Sequence, residues 1–341
     1  MTLDTTAPLL SQPTRRPARR IVSKLLRLLV AAAVLAYLFH RVSPSRVFDA
    51  VASARFMPLL AAFVIALASQ LTAAARLKRL ADVHDLRLSF LEVLEINLAT
   101  LFYGLFLPAG NFTGIAVRFY RMSKPEKAYA GTVVSLFLDR VAATIAICVV
   151  GITFWLVDLP TRAWGILVLM FTALAALLAA QAMLFMELQL PMLIDLQRLL
   201  GRWFPKTLET VRQAIHQARV LPRGLLVHVF AISVLVQLLG VLAYSLVAQS
   251  LGLQISFVTI GWVRSAAILV AILPISIAGL GVREGTLVLL LVPYGIAASD
   301  TLAFSLLVFA ATNLAMALLG GLFEARRLLL WRTKPEGRTL A

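Results

Sequence analysis

The chain has 341 residues, of which 61% are hydrophobic and 14% charged, and it carries a net charge of +16. A soluble domain holds about 45–50% apolar and about 25% charged residues and must cover itself with polar surface, so this composition excludes one. The basic excess, 32 Lys+Arg against 16 Asp+Glu, lies mainly in short loops and tails between apolar runs. It therefore speaks of membrane topology and anionic headgroups, and against nucleic acid as partner.

In chain order, residues 1–20 form a basic tail that leads into an apolar run, Ile21–Phe39. With no clear small-residue cleavage site, that run reads as a retained first helix and not as a removed signal. Further spans follow at Phe56–Ala75, Ala128–Val157, Ala163–Phe185, Leu225–Gln249 and Thr301–Phe323, each near the roughly 20 residues that cross a hydrocarbon core. Between the fourth and fifth of these six, region 187–223 contains Leu208, Val211 and Ile215 on one helical face. Glu209, Arg212, Gln213, His216 and Arg219 occupy the other, which predicts an amphipathic helix lying on the membrane surface. Residues 21–327 are expected to form one membrane domain, read below as a transport domain, and 328–341 a second basic tail.

Two apolar regions, 90–121 and 257–294, are broken by Pro and Gly where a spanning helix should be continuous. Basic clusters flank the first on both sides: Arg76, Lys78, Arg79 and Arg87 before it, Arg118, Arg121, Lys124 and Lys127 at its end. With the basic loops and both termini placed in the cytoplasm, this region must go in and return. The second region returns likewise, from the opposite face. The fold expected is an all-α polytopic membrane protein of about six full transmembrane helices plus two opposed re-entrant hairpins. Their tips resemble each other: Leu107-Pro108, Gly110, Gly114 and Val117-Arg118 against Leu273-Pro274, Gly279, Gly281 and Val282-Arg283. An inverted repeat of broken helices, the usual setting of a transporter site, stands here against two independent proline kinks.

Candidate site residues concentrate at those tips. Pro274 removes an amide donor, and Gly279 and Gly281 allow backbone that other residues resist. The helix restarting near Val282 offers free amides to an anion. Arg283 adds a planar, bidentate donor suited to phosphate, with Glu284 to orient it and Ser276 close in sequence. In the first hairpin Pro108, Gly110 and Gly114 break the helix, Asn111 or Thr113 is available to cap its restart, and Arg118 supplies the cation. Arg121 lies on the same face as Arg118 and reads as a solvated charge. Asp139 and Arg140 fall inside a span, where charges are costly and usually paired. The expected partners are Arg264 for Asp139, and Glu92 or Glu95 for Arg140. Cys148 is the only cysteine, so no disulfide can form within the chain. His40, His84, His216 and His228 are dispersed, and neither a metal site nor a cofactor is expected.

Leu107-Pro108, Gly114, Val117-Arg118, Asp139-Arg140 and the run Leu273 to Gly285 resemble the lysylphosphatidylglycerol synthase transmembrane family, also described as flippase-like membrane proteins. The likeness extends over about Ile21 to Arg327. Many relatives carry a carboxylate after the first-hairpin glycine, where this chain has Gly114-Ile115-Ala116. The resemblance implies a domain that moves aminoacylated or other anionic phospholipids, without the soluble synthase half of bifunctional relatives. The function expected is translocation of an anionic phospholipid or polyprenyl-phosphate-like lipid across the bacterial inner membrane, with a separate lipid-modifying enzyme as a conceivable partner. Two other readings stay open: a lipid-linked glycosyl or phosphoryl transferase using Asp82 and Asp85, and a non-catalytic membrane subunit.

Overall fold

A computed structural model describes residues 44–107, 111–123, 128–159, 164–185, 221–272 and 281–332, with isolated positions 213, 216 and 217. The expected span Ile21–Phe39 and most of the amphipathic region fall outside the described residues. So do Pro108, Gly110, the Asn111 side chain, Pro274, Ser276 and Gly279. Among the described residues every element is helical. They are α1 (Pro44–Ala52), α2 (Phe56–Val83), α3 (Phe90–Phe106), α4 (Asn111–Ser123), α5 (Tyr129–Asp158) and α6 (Trp164–Phe185). Then come α7 (Arg223–Ser250), α8 (Phe257–Ile272), α9 (Val282–Leu291), α10 (Ala298–Val308) and α11 (Ala315–Arg332). A π-helical segment, Phe309–Leu314, joins the last two into one rod. Single π insertions of this kind recur at functional sites.

Helices α2, α5, α7 and the rod from Ala298 to Arg327 are long and apolar enough to cross a membrane. Most expected spans match these helices closely, but α2 continues two turns beyond Ala75 to Val83. Its extension is held by a buried stripe, Arg76, Leu77, Leu80 and Ala81, which recurs at helical spacing and so remains on one face.

Both broken regions form helix pairs. Helix α3 packs along α4, and α8 along α9. With 10 residues, α9 rises about 15 Å, half of a hydrocarbon core about 30 Å thick. Each first arm starts at a serine cap. Ser89 accepts from the Glu92 amide at 3.2 Å while Glu92 reaches back to the Ser89 amide at 2.7 Å. Ser256 accepts from the Thr259 amide at 2.9 Å. Such caps satisfy amides that a helix start leaves open.

The two caps lie 167 positions apart (89 to 256), as do Phe90 and Phe257, the first residues of their helices, and Gly114 and Gly281. Packing obeys the same correspondence. Helix α5 crosses α8 where Gly151 meets Ser265, and α11 crosses α3 where Gly320 meets Leu98; Leu98 and Ser265 are again 167 apart. The heads of the two groups, α2 and α7, contain 28 residues each and lie against each other. The amide of Arg55, at the start of α2, donates to the Ser250 carbonyl at the end of α7 at 2.8 Å. Further along, Ser69 meets Val236 and Arg76 meets Ser233, so one number rises as the other falls. The helices run antiparallel, and the two groups are therefore related as an inverted repeat.

Candidate functional site

Asp139 sits on α5 with 4% of its surface exposed. Its two oxygens accept from different helices: Arg76 Nε of α2 at 2.8 Å and Arg118 Nη2 of α4 at 3.1 Å. Arg76 Nη1 continues to Ser233 Oγ of α7 at 3.1 Å. One carboxylate thus holds a buried guanidinium, Arg76, and a half-buried one, Arg118, and the pairing expected with Arg264 is not made. The reason is the length of α2: Arg76 belongs to the helix and not to a loop, and it turns toward α5. Arg264 instead donates through Nη1 to Gln237 Oε1 at 2.9 Å and lies over the Tyr244 ring. Arg140 is exposed and makes no ion pair with Glu92 or Glu95. Neighbouring helix positions diverge by about 100°, so burying Asp139 turns Arg140 outward, and Glu92 is committed to the Ser89 cap.

Arg121 is also paired where a solvated charge was expected. It bonds Glu324 of α11, which in addition accepts from Tyr103 Oη of α3 at 2.9 Å. Helix α4 is therefore anchored twice, by Arg118 to α5 and by Arg121 to α11. Glu324 escaped sequence reading because it lies just past the expected end of the last span at Phe323, two residues before Arg326 and Arg327, and passed for part of a charged end. Gly114 brings α4 close: a Cβ there would lie 2.5 Å from the Thr100 carbonyl oxygen of α3.

In the second hairpin Gly281 takes φ +81°, a left-handed backbone suited to glycine. Its amide donates to Glu284 Oε2 at 2.7 Å. The other oxygen, Oε1, accepts from Arg283 and from Ser305 Oγ of α10, the latter at 3.3 Å. The Arg283 guanidinium stacks 5.2 Å from the Phe309 ring centre, where the π segment begins. Glu284 is 2% exposed and fixes both the restart of the helix and its arginine. The Nε–H groups of Arg118 and Arg283 are buried and have no hydrogen-bond partner among the described residues.

A further cluster, unforeseen from sequence, closes the far end of this hairpin. Asp158 Oδ2 accepts from Thr259 Oγ1 at 3.0 Å, Trp262 Nε1 at 2.7 Å and Tyr294 Oη at 2.8 Å. Both ends of the second hairpin are tied to α5 in this way. Asp82, the acid considered for a transferase, bonds Lys78 one turn earlier on the exposed surface.

An all-helical membrane protein with paired broken hairpins and buried arginine–carboxylate contacts is the class these features define. The family model for the lysylphosphatidylglycerol synthase TM region matches residues 24–320, and the chain belongs to that family. Membership associates it with lipid modification or translocation in a membrane. No curated protein matches the chain.

Proposed function

We propose that this protein translocates an anionic lipid, an anionic phospholipid or a polyprenyl-phosphate-like lipid, across the bacterial inner membrane, with its basic loops and termini in the cytoplasm. The observation that carries the reading is a pair of arginines, one on the second arm of each hairpin, two positions apart in the shared register. Arg118 and Arg283 sit on corresponding arms of an inverted repeat, each bonded to a carboxylate through one nitrogen and each retaining a buried, unpartnered Nε–H. A guanidinium in that state can donate its Nε–H to a phosphate oxygen without first leaving its carboxylate, and can then exchange one anion for the other. Broken helices at such positions carry the binding sites of many transporters. The acyl chains stay in the bilayer while the headgroup passes between the hairpins.

The test is translocation in proteoliposomes with headgroup-labelled anionic and neutral phospholipids and an external quencher. The reading predicts faster exchange of the anionic lipid, reduced at least tenfold in Arg283→Ala. Exchange no faster than in empty liposomes, with or without an imposed potential, would refute translocation of common phospholipids.

A further inference from the structure

Arg264 is the one charged residue of α8 and is 9% exposed. Its contacts are Gln237 through Nη1 and the Tyr244 ring, 5.3 Å from Cζ; neither is a carboxylate. Its Nε is buried and unpartnered. Gly240 makes room for the group, since a Cβ there would lie 2.1 Å from Nη2. Ser233, Gln237, Gly240 and Tyr244 recur on one face of α7. Ser233 bonds Arg76 and Gln237 bonds Arg264, so the two arginines rest on the same helix about 6 Å apart along its axis.

Charge separates this track from the other buried pairs. Arg121 is balanced by Glu324 and Arg283 by Glu284. Along the track, Arg118, Arg76 and Arg264 face only Asp139 among the described carboxylates. Buried cations within membrane helices are costly unless an anion accompanies them. The first half repeats the position: Asn97, 167 residues before Arg264, is 8% exposed with an unpartnered Oδ1. Each first arm thus presents an unsatisfied polar group at the same register.

We propose that Arg264 forms a second anion site, which takes a phosphate-type oxyanion on its Nε side, next along α7 from the Arg76–Asp139–Arg118 cluster. Gln237 occupies Nη1 and leaves that side of the guanidinium to the ligand. The translocase reading supplies the source of the oxyanion, a lipid headgroup, and in that reading Arg264 is a resting point distinct from the hairpin arginines.

Binding is measured on the purified full chain in uncharged detergent by calorimetry, with dihexanoyl phosphatidic acid and with inorganic phosphate. The site predicts at least tenfold weaker binding in Arg264→Gln. Preference for the short-chain lipid assigns the site to a headgroup, and equal binding of phosphate assigns it to the free anion. Should Arg264→Gln fail to fold, the wild-type protein still decides. Its Arg264 15Nε–H resonance, assigned by its absence from Arg264→Lys, must shift as either probe is added. Unchanged affinity in a folded Arg264→Gln, or an unmoved resonance, overturns the proposal. Binding at Arg264 in a protein that moves no phospholipid upholds this site and removes the translocase reading for common phospholipids.

Discussion

Asp139 is the residue on which most buried charge depends, because it alone separates Arg76 from Arg118. Asp139→Asn leaves two cations together without an anion, and a cost of about 3–5 kcal/mol is expected. Thermal unfolding in detergent should show a large loss for Asp139→Asn and a smaller one for Arg118→Gln, which keeps the Arg76 pair intact. His84, just past the end of α2, offers a test by pH. Burial lowers its imidazole pKa below the ordinary 6.5, although Asp85 opposes the shift. Between the two values the unfolded state holds more protons, so stability is full above about pH 6.5 and declines as pH falls through the folded value. Melting temperature measured against pH should lose part of its acid slope in His84→Gln. At this scale the sequence was legible where partners are neighbours: Arg283 and Glu284 are adjacent, and their contact could be anticipated. Partners from separate helices, such as Arg76 with Asp139 or Arg121 with Glu324, depend on how far a helix continues and which face it turns inward. Local pattern does not carry that information.

Among the elements, the two glycine crossings hold the repeat together. A Cβ on Gly320 would fall 2.2 Å from the Leu98 carbonyl oxygen, and backbone cannot yield as a flexible side chain can. Gly320→Ala should therefore lower stability by about 1–3 kcal/mol. Gly165→Ala is the control: nothing lies within 4 Å of its Cβ, so the melting temperature should hold or rise slightly. Ser256→Ala removes the cap of α8 and should cost about 1 kcal/mol, readable in the same unfolding assay. Spans were legible in the sequence because the apolar runs from 56, 128, 225 and 301 are long and uninterrupted. The end of α2 was not, because a row of basic residues resembles a loop until Leu77, Leu80 and Ala81 are seen to continue its buried face.

For the whole molecule, the shared register of Ser89 with Ser256, Gly114 with Gly281 and Leu98 with Ser265 places two like hairpins in opposite senses about the antiparallel α2–α7 pair. Resemblance of the Pro-Gly-Arg tips hinted at this relation, but its direction became visible only through the contact of Arg55 with Ser250. Translocation as proposed depends on the hairpins opening to opposite faces. The most direct test is labelling of single cysteines at Asn111 and Ser276, in a Cys148→Ala background, with a membrane-impermeant maleimide in right-side-out and inverted vesicles. The account predicts that each position is labelled from a different side. Labelling of both from the same side would contradict it.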